Sequence, residues 1–244
     1  AAAPVAPDAL AARALVEKHF RVYALSGPEG SDGLFTGYYE AAARGARRKL
    51  SRYNVPLYRR PPDLIDVDLG AFSQEFRGRT IAGRVQGGRL VPYAERRRIG
   101  DGALTGKGLE LLWLDDPVDA FFLEIQGSGR ITLPDGSVMR VGFAAKNGRP
   151  YTAIGRLLID MGAMTREQVS MQSIRAWLAA HPDRARAVMD ANAAYVFFRE
   201  VKGDGPIGAE GVALTAGRSL AVDRRYLPLG APVFVAAEDP DGSA

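Results

Sequence analysis

The chain has 244 residues, 47% of them hydrophobic, so it is long enough to bury the core of one large domain or two smaller ones. The absence of cysteine excludes disulfides and thiolate chemistry, and the two histidines, His19 and His181, are too far apart to favour a metal site or a histidine-dependent triad. The net charge of +4 suits attraction to an anionic polymer. The sequence has no basic stripe with interleaved aromatic residues, so it does not indicate nucleic-acid binding. No apolar run reaches the roughly 18 residues that a membrane span needs.

The first part of the chain combines one helix signal with short strand signals. A helix is predicted from Asp8, which can cap it, and the aromatic run LFTGYYE at 34–40 predicts a strand. Residues 41–62 are basic and punctuated by proline, and they are interpreted as an excursion away from that strand. A hairpin is predicted at 81–93, with a Gly-Gly pair at its turn.

The middle of the chain carries strong apolar signals. The run FFLEIQ at 121–126 is interpreted as a buried strand that breaks into a glycine-rich segment. A second hairpin is predicted at 131–143, with an Asp-Gly pair at its tip. Three helices should follow, one capped by Thr152, one introduced by the capping-box spacing of Thr165 and Gln168, and a short one at about 183–191.

The last part of the chain returns to strand signals, in YVFFRE at 195–200 and in three β-like runs between 211 and 237. Strands therefore lie at both ends, and the helices cluster in the second half of the middle. This order differs from the alternation of strands and helices in a doubly wound fold. It predicts a mainly β, α+β chain with a β-barrel part.

The glycine-rich segment QGSGR at 126–130 has three interpretations: a phosphate cradle, a polar lip of a substrate groove, or a turn. Neither this segment nor TGKG at 105–108 has P-loop spacing or clearly precedes a helix N-terminus, so a turn is favoured over nucleotide binding. The segment AKNGRPYTAIG at 145–155 places polar groups at a loop-to-helix junction. A ligand edge and simple turn chemistry explain that second segment equally well.

Several side chains suit carbohydrate chemistry, in which an acid protonates the leaving oxygen and aromatic rings stack on sugars. The candidate acids are Glu40, Asp119, Glu124, Asp204 and Asp223. The candidate stacking rings are Tyr38, Tyr39, Phe121, Phe122, Tyr151 and Tyr195. The candidate donors to hydroxyl, acetamide or carboxylate groups are Gln126, Asn147 and Arg218. For each of these, an ordinary surface, structural or core role is the competing and commoner interpretation.

Six segments together resemble the membrane-bound lytic murein transglycosylase A family. They are FTGYYE at 35–40, FFLEIQGSGRI at 121–131, AAKNGRPYTAIGRLLID at 144–160, SMQSIRAW at 170–177, NAAYVFFRE at 192–200 and GRSLAVDRRYLPLGAPVFV at 217–235. They occur in the order and spacing of the family and cover nearly all of the chain after residue 34. One such segment alone is weak, whereas six in order are highly specific.

The resemblance implies a two-domain fold. A double-psi β-barrel domain would be formed by residues 1–40 and 201–244, with its C-terminal part missing from this chain. A smaller β-rich domain, residues 41–200, would be inserted into it, and the groove between the two domains would hold a glycan strand.

The resemblance also implies a reaction that needs no metal or cofactor. The β-1,4 bond between N-acetylmuramic acid and N-acetylglucosamine of peptidoglycan is cleaved, and the muramoyl C6 hydroxyl closes a 1,6-anhydro ring. A single aspartic acid serves as acid and then as base. The segment that carries this acid in the family is not found here, so the acid is expected beyond residue 244. We therefore expect a C-terminal fragment as a second chain, and no nucleic acid as a partner.

Ten residues of this chain are candidate site residues. As catalytic support the resemblance indicates Thr36, beside the missing acid, and Asp223, for which a role in barrel architecture is equally supported. The substrate-binding candidates are Tyr38, Gln126, Ser128, Gly129, Lys146, Asn147, Arg218 and Arg224. The resemblance leaves Glu124 a structural residue.

The expected location is the periplasmic side of the bacterial envelope, with an outer-membrane anchor left open. Two other functions compete with the transglycosylase. One is a catalytically inactive peptidoglycan-binding or scaffold protein, and the other is a two-carboxylate glycoside hydrolase that uses Glu124.

Overall fold

The structure is a computed structural model that describes residues 8–25, 40–203, 205–206, 208–215 and 217–235. The chain divides into two compact units, one formed by Ala1–Tyr38 with Pro232–Ala244 and the other by Tyr39–Ala231. The described part of the first unit contains helix α1 (Ala9–His19). Its N-cap is Asp8, whose Oδ1 accepts a hydrogen bond of 2.8 Å from the amide of Ala11, as the sequence predicts.

The second unit combines two sheets with five helices among its described residues. In chain order these elements are β1 (Ala41–Ala46), β2 (Val55–Tyr58), β3 (Ile65–Asp68), β4 (Thr80–Gln86), β5 (Arg89–Pro92), α2 (Arg96–Arg98), β6 (Glu110–Leu114), α3 (Pro117–Gln126), β7 (Ser128–Thr132), β8 (Val138–Lys146), α4 (Ile154–Asp160), α5 (Met171–Ala180), α6 (Pro182–Asp190) and β9 (Val196–Val201). Short 3-10 turns at Leu69–Ala71 and Gln74–Phe76 and a π-type turn at Ile99–Ala103 complete them. The α+β class predicted from the sequence is confirmed.

The larger sheet has six strands in the order β2-β6-β1-β7-β8-β9. Strand β1 runs parallel to β7 and antiparallel to β6, whereas β7, β8 and β9 pair antiparallel. The smaller sheet has the order β3-β4-β5. The basic segment after residue 40 supplies β1 and β2, in which Ala41, Ala43, Ala46, Leu57 and Tyr58 are buried. The strand that this segment was predicted to leave, at 34–40, lies almost entirely outside the described residues.

Residues 121–126 form the end of helix α3, so the strand predicted for FFLEIQ is wrong. Asp116 caps the helix by accepting from the amide of Val118 at 2.7 Å, and Pro117 occupies the first turn. Gly127 ends it with a left-handed backbone (φ 74°). The helix is apolar on most sides because it packs between the sheet and the other helices, which removes the helical periodicity from its sequence.

Two predicted helix starts shift by a few residues. Ala153, not Thr152, is the N-cap of α4. The side chain of Gln168 does accept from the amide of Thr165, but α5 begins later, at a capping box formed by Ser170 and Ser173. Local turn chemistry was therefore recognised correctly but was not the signal that starts the helix.

Both predicted hairpins are confirmed, as β4-β5 with Gly87 and Gly88 at its turn and as β7-β8 with Gly136 near its tip. Between residues 205 and 235 the described residues form turns and no strand of either sheet. Apolar side chains there, such as Val212 and Leu220, are exposed. The division at residues 40 and 200 into barrel and insert, and the groove between them, stays a prediction.

The core of the second unit forms three buried clusters. One lies between the large sheet and α3, a second joins α3 to α4, α5 and α6, and a third surrounds Tyr93, Tyr195 and Phe197. Helix α3 contributes to the first two, so its position fixes where the chain emerges at Gln126. No helix of the described part of the chain is long and apolar enough to cross a bilayer.

Candidate functional site

The QGSG corner (Gln126–Gly129) joins the end of α3 to the start of β7. Gln126 is exposed at the last helical position, and the left-handed Gly127 turns the chain sharply into the sheet. Ser128 is half-buried at the first position of β7, opposite Gly142 of β8. The corner thus presents an amide and a hydroxyl on a rigid scaffold, because a helix end and a sheet strand fix it from both sides.

Gly129 is the packing residue of the corner. It is buried, and a Cβ added to it would lie 2.5 Å from the carbonyl oxygen of Ala41 and 2.4 Å from Cδ1 of Leu123. A side chain would therefore force β1 or α3 away from β7. Because Gly129 has no side chain, only its backbone could make the predicted contact with substrate. Its small size allows β7 to pack close to β1.

Phe143 is an exposed aromatic ring beside the corner, and the sequence reasoning did not single it out. Half of its surface is exposed, and its Cβ lies 3.9 Å from the position that a Cβ of Gly127 would take. The pairing of β8 with β9 shifts register between Phe143 and Ala145, so a β-bulge begins at this ring. Such bulges re-aim side chains and are common next to active sites.

Phe143 directly follows Gly142, so the two residues point to opposite faces of β8. Arg199 of β9 is on the face of Gly142 and Ser128. It lies opposite Gly142, and its Nε donates to the carbonyl of Phe143 at 3.3 Å. The two strands beside the corner therefore place a ring on one face of the sheet and a guanidinium on the other, the face of Ser128. The Gly-Phe pair in the motif VGF at 141–143 is a sequence signal that could have drawn attention to Phe143. The same pair would also suit a core strand, so it does not by itself indicate an exposed ring.

Asn147 is buried with no exposed surface, so the structure corrects its prediction as a substrate-binding residue. Its Nδ2 donates to the carbonyls of Ala94 and Ala193, both at 2.9 Å. Its Oδ1 accepts from the amides of Arg149 and Tyr195. All of its hydrogen-bonding capacity holds these loops together, and none is left for a sugar.

Lys146 and Tyr151, on either side of Asn147 in the sequence, are exposed, unlike Asn147 itself. Lys146 is exposed at the last position of β8, and 61% of the Tyr151 side chain is exposed after the loop. The AKNGRPY segment therefore combines a buried structural amide with two exposed groups. Lys146 keeps its place as a predicted substrate-binding residue, and Tyr151 remains a candidate stacking ring.

Glu124 is a buried carboxylate on α3, with 4% of its side chain exposed. Its Oε2 lies 2.6 Å from Nη2 of Arg96, which also donates to the carbonyls of Asn192 and Ala194. Burial raises the pKa of Glu124 to about 7; the charge of Arg96 opposes this rise, but Oε2 receives no well-directed hydrogen bond.

A raised carboxyl pKa is what a general acid needs, but a general acid must also reach the glycosidic oxygen. The surroundings of Glu124 deny that access, since Arg96 stacks on Phe121 at 4.6 Å and Tyr195 is buried against the same cluster. Glu124 therefore cannot serve as the acid of a two-carboxylate hydrolase in this structure, and its contacts support a structural role.

Three of the other candidate acids form ion pairs with arginines. Glu40 pairs with Arg140, and Asp119 pairs with Arg175. Asp223 pairs with Arg225 at 2.6 Å, and hydrogen bonds from the Arg225 side chain and backbone hold the pKa of Asp223 below its usual value. Asp204 lies outside the described residues.

The remaining predicted residues are not brought to the corner by any described contact. Arg218 and Arg224 are exposed on the turn-rich segment that follows β9. Thr36 and Tyr38 lie outside the described residues, as does Tyr39. Phe121, Phe122 and Tyr195 are buried, which supports the core reading of these three rings.

The chain matches the family model of the MltA specific insert domain over residues 34–199. The membrane-bound lytic murein transglycosylase A of Escherichia coli K12 is 33% identical to it over 208 residues, which is 83% of this chain and 50% of that protein. The chain therefore spans about half the length of this relative.

Solved structures give the same picture. MltA from Neisseria gonorrhoeae superposes with a TM-score of 0.72 at 38% identity, covering 81% of this chain and 56% of that one. The E. coli MltA structure with bound chitohexaose superposes with a TM-score of 0.62 at 30% identity, covering 79% and 50%. Hence one of these similar structures holds bound chitohexaose.

Proposed function

Because the chain belongs to the MltA family, we propose that it is the glycan-binding part of a lytic transglycosylase that acts on peptidoglycan. The observation that carries the proposal is the match to the family's insert domain over residues 34–199, in which Gln126 of the QGSG corner is exposed. The periplasmic side of the bacterial envelope, where peptidoglycan lies, is the corresponding location.

The proposed reaction is cleavage of the β-1,4 bond between N-acetylmuramic acid and N-acetylglucosamine. The muramoyl C6 hydroxyl would attack C1 and close a 1,6-anhydro ring, with one aspartic acid first donating a proton and then accepting one. An internal hydroxyl needs no bound water and arrives already positioned, which lowers the entropic part of the barrier. We infer that this acid lies in a segment that follows residue 244, and we propose Thr36 and Asp223 as its supporting residues.

The corner supplies what a sugar chain needs from a binding surface. The Gln126 amide can donate to and accept from hydroxyl and acetamide groups, and the Ser128 hydroxyl can do the same on the strand. The exposed ring of Phe143 offers an apolar face against which a pyranose can stack. Lys146, Arg218 and Arg224 are further proposed contacts, since each is an exposed cation and peptidoglycan is anionic.

Titration of the 244-residue chain with chitohexaose, followed by tryptophan fluorescence or calorimetry, tests the proposed surface. Phe143→Ala and Gln126→Ala should each weaken binding by about fivefold to tenfold, because a stacked ring or a hydrogen-bonding amide contributes on the order of 1 kcal/mol. Phe72→Ala is the matched control, since that ring is 78% exposed in a different part of the unit.

Equal binding by all three variants would remove the corner from the glycan site. The chemistry is tested separately by product analysis of peptidoglycan digested by the protein together with any C-terminal fragment. Products that end in reducing muramic acid, not in the 1,6-anhydro sugar, would contradict the transglycosylase reaction.

A further inference from the structure

The outer face of the β7-β8-β9 sheet carries an open cavity of about 420 Å³, next to the QGSG corner. Its lining includes Arg130, Val138, Arg140, Val201 and Lys202. Ligand pockets for small molecules and short peptides begin at roughly 300 Å³, so the cavity is large enough for a ligand of a few residues.

The cavity is continuous with the corner along one strand. Ser128 and Arg130 are two positions apart on β7, and side chains at i and i+2 point to the same face of a sheet, about 7 Å apart. Their partners on β8 are Gly142 and Arg140. A ligand that left the corner along this face would therefore meet a guanidinium next.

Two arginines, Arg130 and Arg140, line the cavity. Arg130 and Arg140 are direct cross-strand partners, and like charges in such positions repel. Glu40 pairs with Arg140 and offsets its charge. Within the described part of the chain no carboxylate lies within ion-pair distance of Arg130, which is exposed, or of Lys202.

Among the described residues, the acid that lines the cavity is engaged with another cation. Glu200 lines the cavity, but its Oε1 is 3.7 Å from Nη2 of Arg47. Apolar surface between the charges comes from Val138, which is 47% exposed, and from Val201 opposite Arg140. The cavity therefore combines two cations that have no carboxylate partner among the described residues with small apolar patches, which suits carboxylates separated by methyl-bearing residues.

We propose that this cavity binds a short carboxylate-bearing peptide through Arg130 and Lys202, and that in the substrate this is the acidic stem peptide attached to muramic acid. The identity of the peptide rests on the proposed function, whereas the carboxylate site rests on the sheet face alone. A nucleic acid or a membrane surface is disfavoured, because either would need a wider array of cations than two.

Calorimetry of the 244-residue chain with a free tetrapeptide tests the site. The probe is Ala–γGlu–Lys–Ala with both carboxylates free, and its control is the same peptide with both carboxylates amidated. The free acid should bind and the amide should not, and binding should weaken as salt rises, since exposed ion pairs are screened.

Arg130→Gln and, independently, Lys202→Gln should each weaken binding of the tetrapeptide by up to about fivefold, the upper end of the range for one exposed charge contact. Arg89→Gln, which removes an exposed arginine of β5 on the smaller sheet, should bind like the wild type. Thermal melting of each variant shows that the sheet is intact. Unchanged affinity in both cavity variants, or no binding of the tetrapeptide to the wild type, overturns the proposal.

Chitohexaose carries no carboxylate and separates this proposal from the function on which it rests. If chitohexaose binds to the wild type and the tetrapeptide does not, the cavity proposal fails and the glycan function stands. If the tetrapeptide binds through Arg130 and chitohexaose does not bind, the carboxylate site stands and the glycan function fails. Binding of anionic phospholipid vesicles through Arg130 without tetrapeptide binding would overturn the peptide assignment.

Discussion

Replacement of the buried Glu124 by glutamine should remove a large part of the pH dependence of stability. In the wild type the folded state holds the proton of Glu124 up to about pH 7, whereas the ordinary pKa of a glutamate is near 4.5. Between these values the folded protein binds more protons than the unfolded chain. The free energy of unfolding must therefore fall as the pH rises through this window.

The magnitude follows from the two pKa values. A shift of this size corresponds to about 3 kcal/mol, lost progressively between roughly pH 4.5 and pH 7. Glutamine has nearly the same shape, keeps an oxygen near Arg96 and does not titrate. The stability of Glu124→Gln relative to the wild type should thus rise by about 3 kcal/mol across the window, whatever the offset at low pH.

Urea unfolding followed by tryptophan fluorescence, at half-unit steps from pH 4 to pH 8 and constant ionic strength, measures this difference. The matched control is Glu75→Gln, which removes an exposed glutamate. The control should follow the wild-type curve within about 0.5 kcal/mol, as surface substitutions usually do. Parallel curves for the wild type and Glu124→Gln would refute the assignment of a raised pKa to a desolvated Glu124.

Two further substitutions test the packing of Gly129 in the corner and the hydrogen bonds of the buried Asn147. Gly129→Ala should destabilise the protein by about 1–3 kcal/mol in urea unfolding, because the new methyl group overlaps the carbonyl of Ala41; a neutral effect would show that β1 can shift freely. Asn147→Ala should lower the free energy of unfolding by about 3 kcal/mol or more, since two carbonyls and two amides lose their partner. Lys146→Ala, at the exposed neighbouring position, is the control and should change the Tm little. Equal effects of the two substitutions would contradict the structural role of Asn147.

Turns and hairpins were predictable from the sequence because their signals are local. Gly-Gly and Asp-Gly pairs require backbone conformations that few other residues adopt, and both predicted hairpins form. Helix α3 was not predicted, because it is apolar on nearly every side and so shows no helical period. Its local start signal, Asp116 followed by Pro117, was present in the sequence.

The candidate site was predictable only in part, because burial is decided by contacts far along the chain. Gln126 and Asn147 are both amides in glycine-containing segments, yet one is exposed and the other is buried against loops that lie far away in sequence. The exposure of Phe143 depends on a register shift between β8 and β9, for which no sequence signal was found. The carboxylate cavity depends on the cross-strand register of Arg130 and Arg140.

The parallel pairing of β1 with β7 has a consequence for folding. The hairpin β7-β8 closes through a short local loop, whereas β1 must return from a distant part of the chain to lie beside Gly129. Closing the longer loop costs more chain entropy, so this contact should form late. A partly folded chain would then hold Ser128 in its hairpin before Ala41 pairs with Gly129, and the proposed glycan affinity would appear only when the whole sheet has formed.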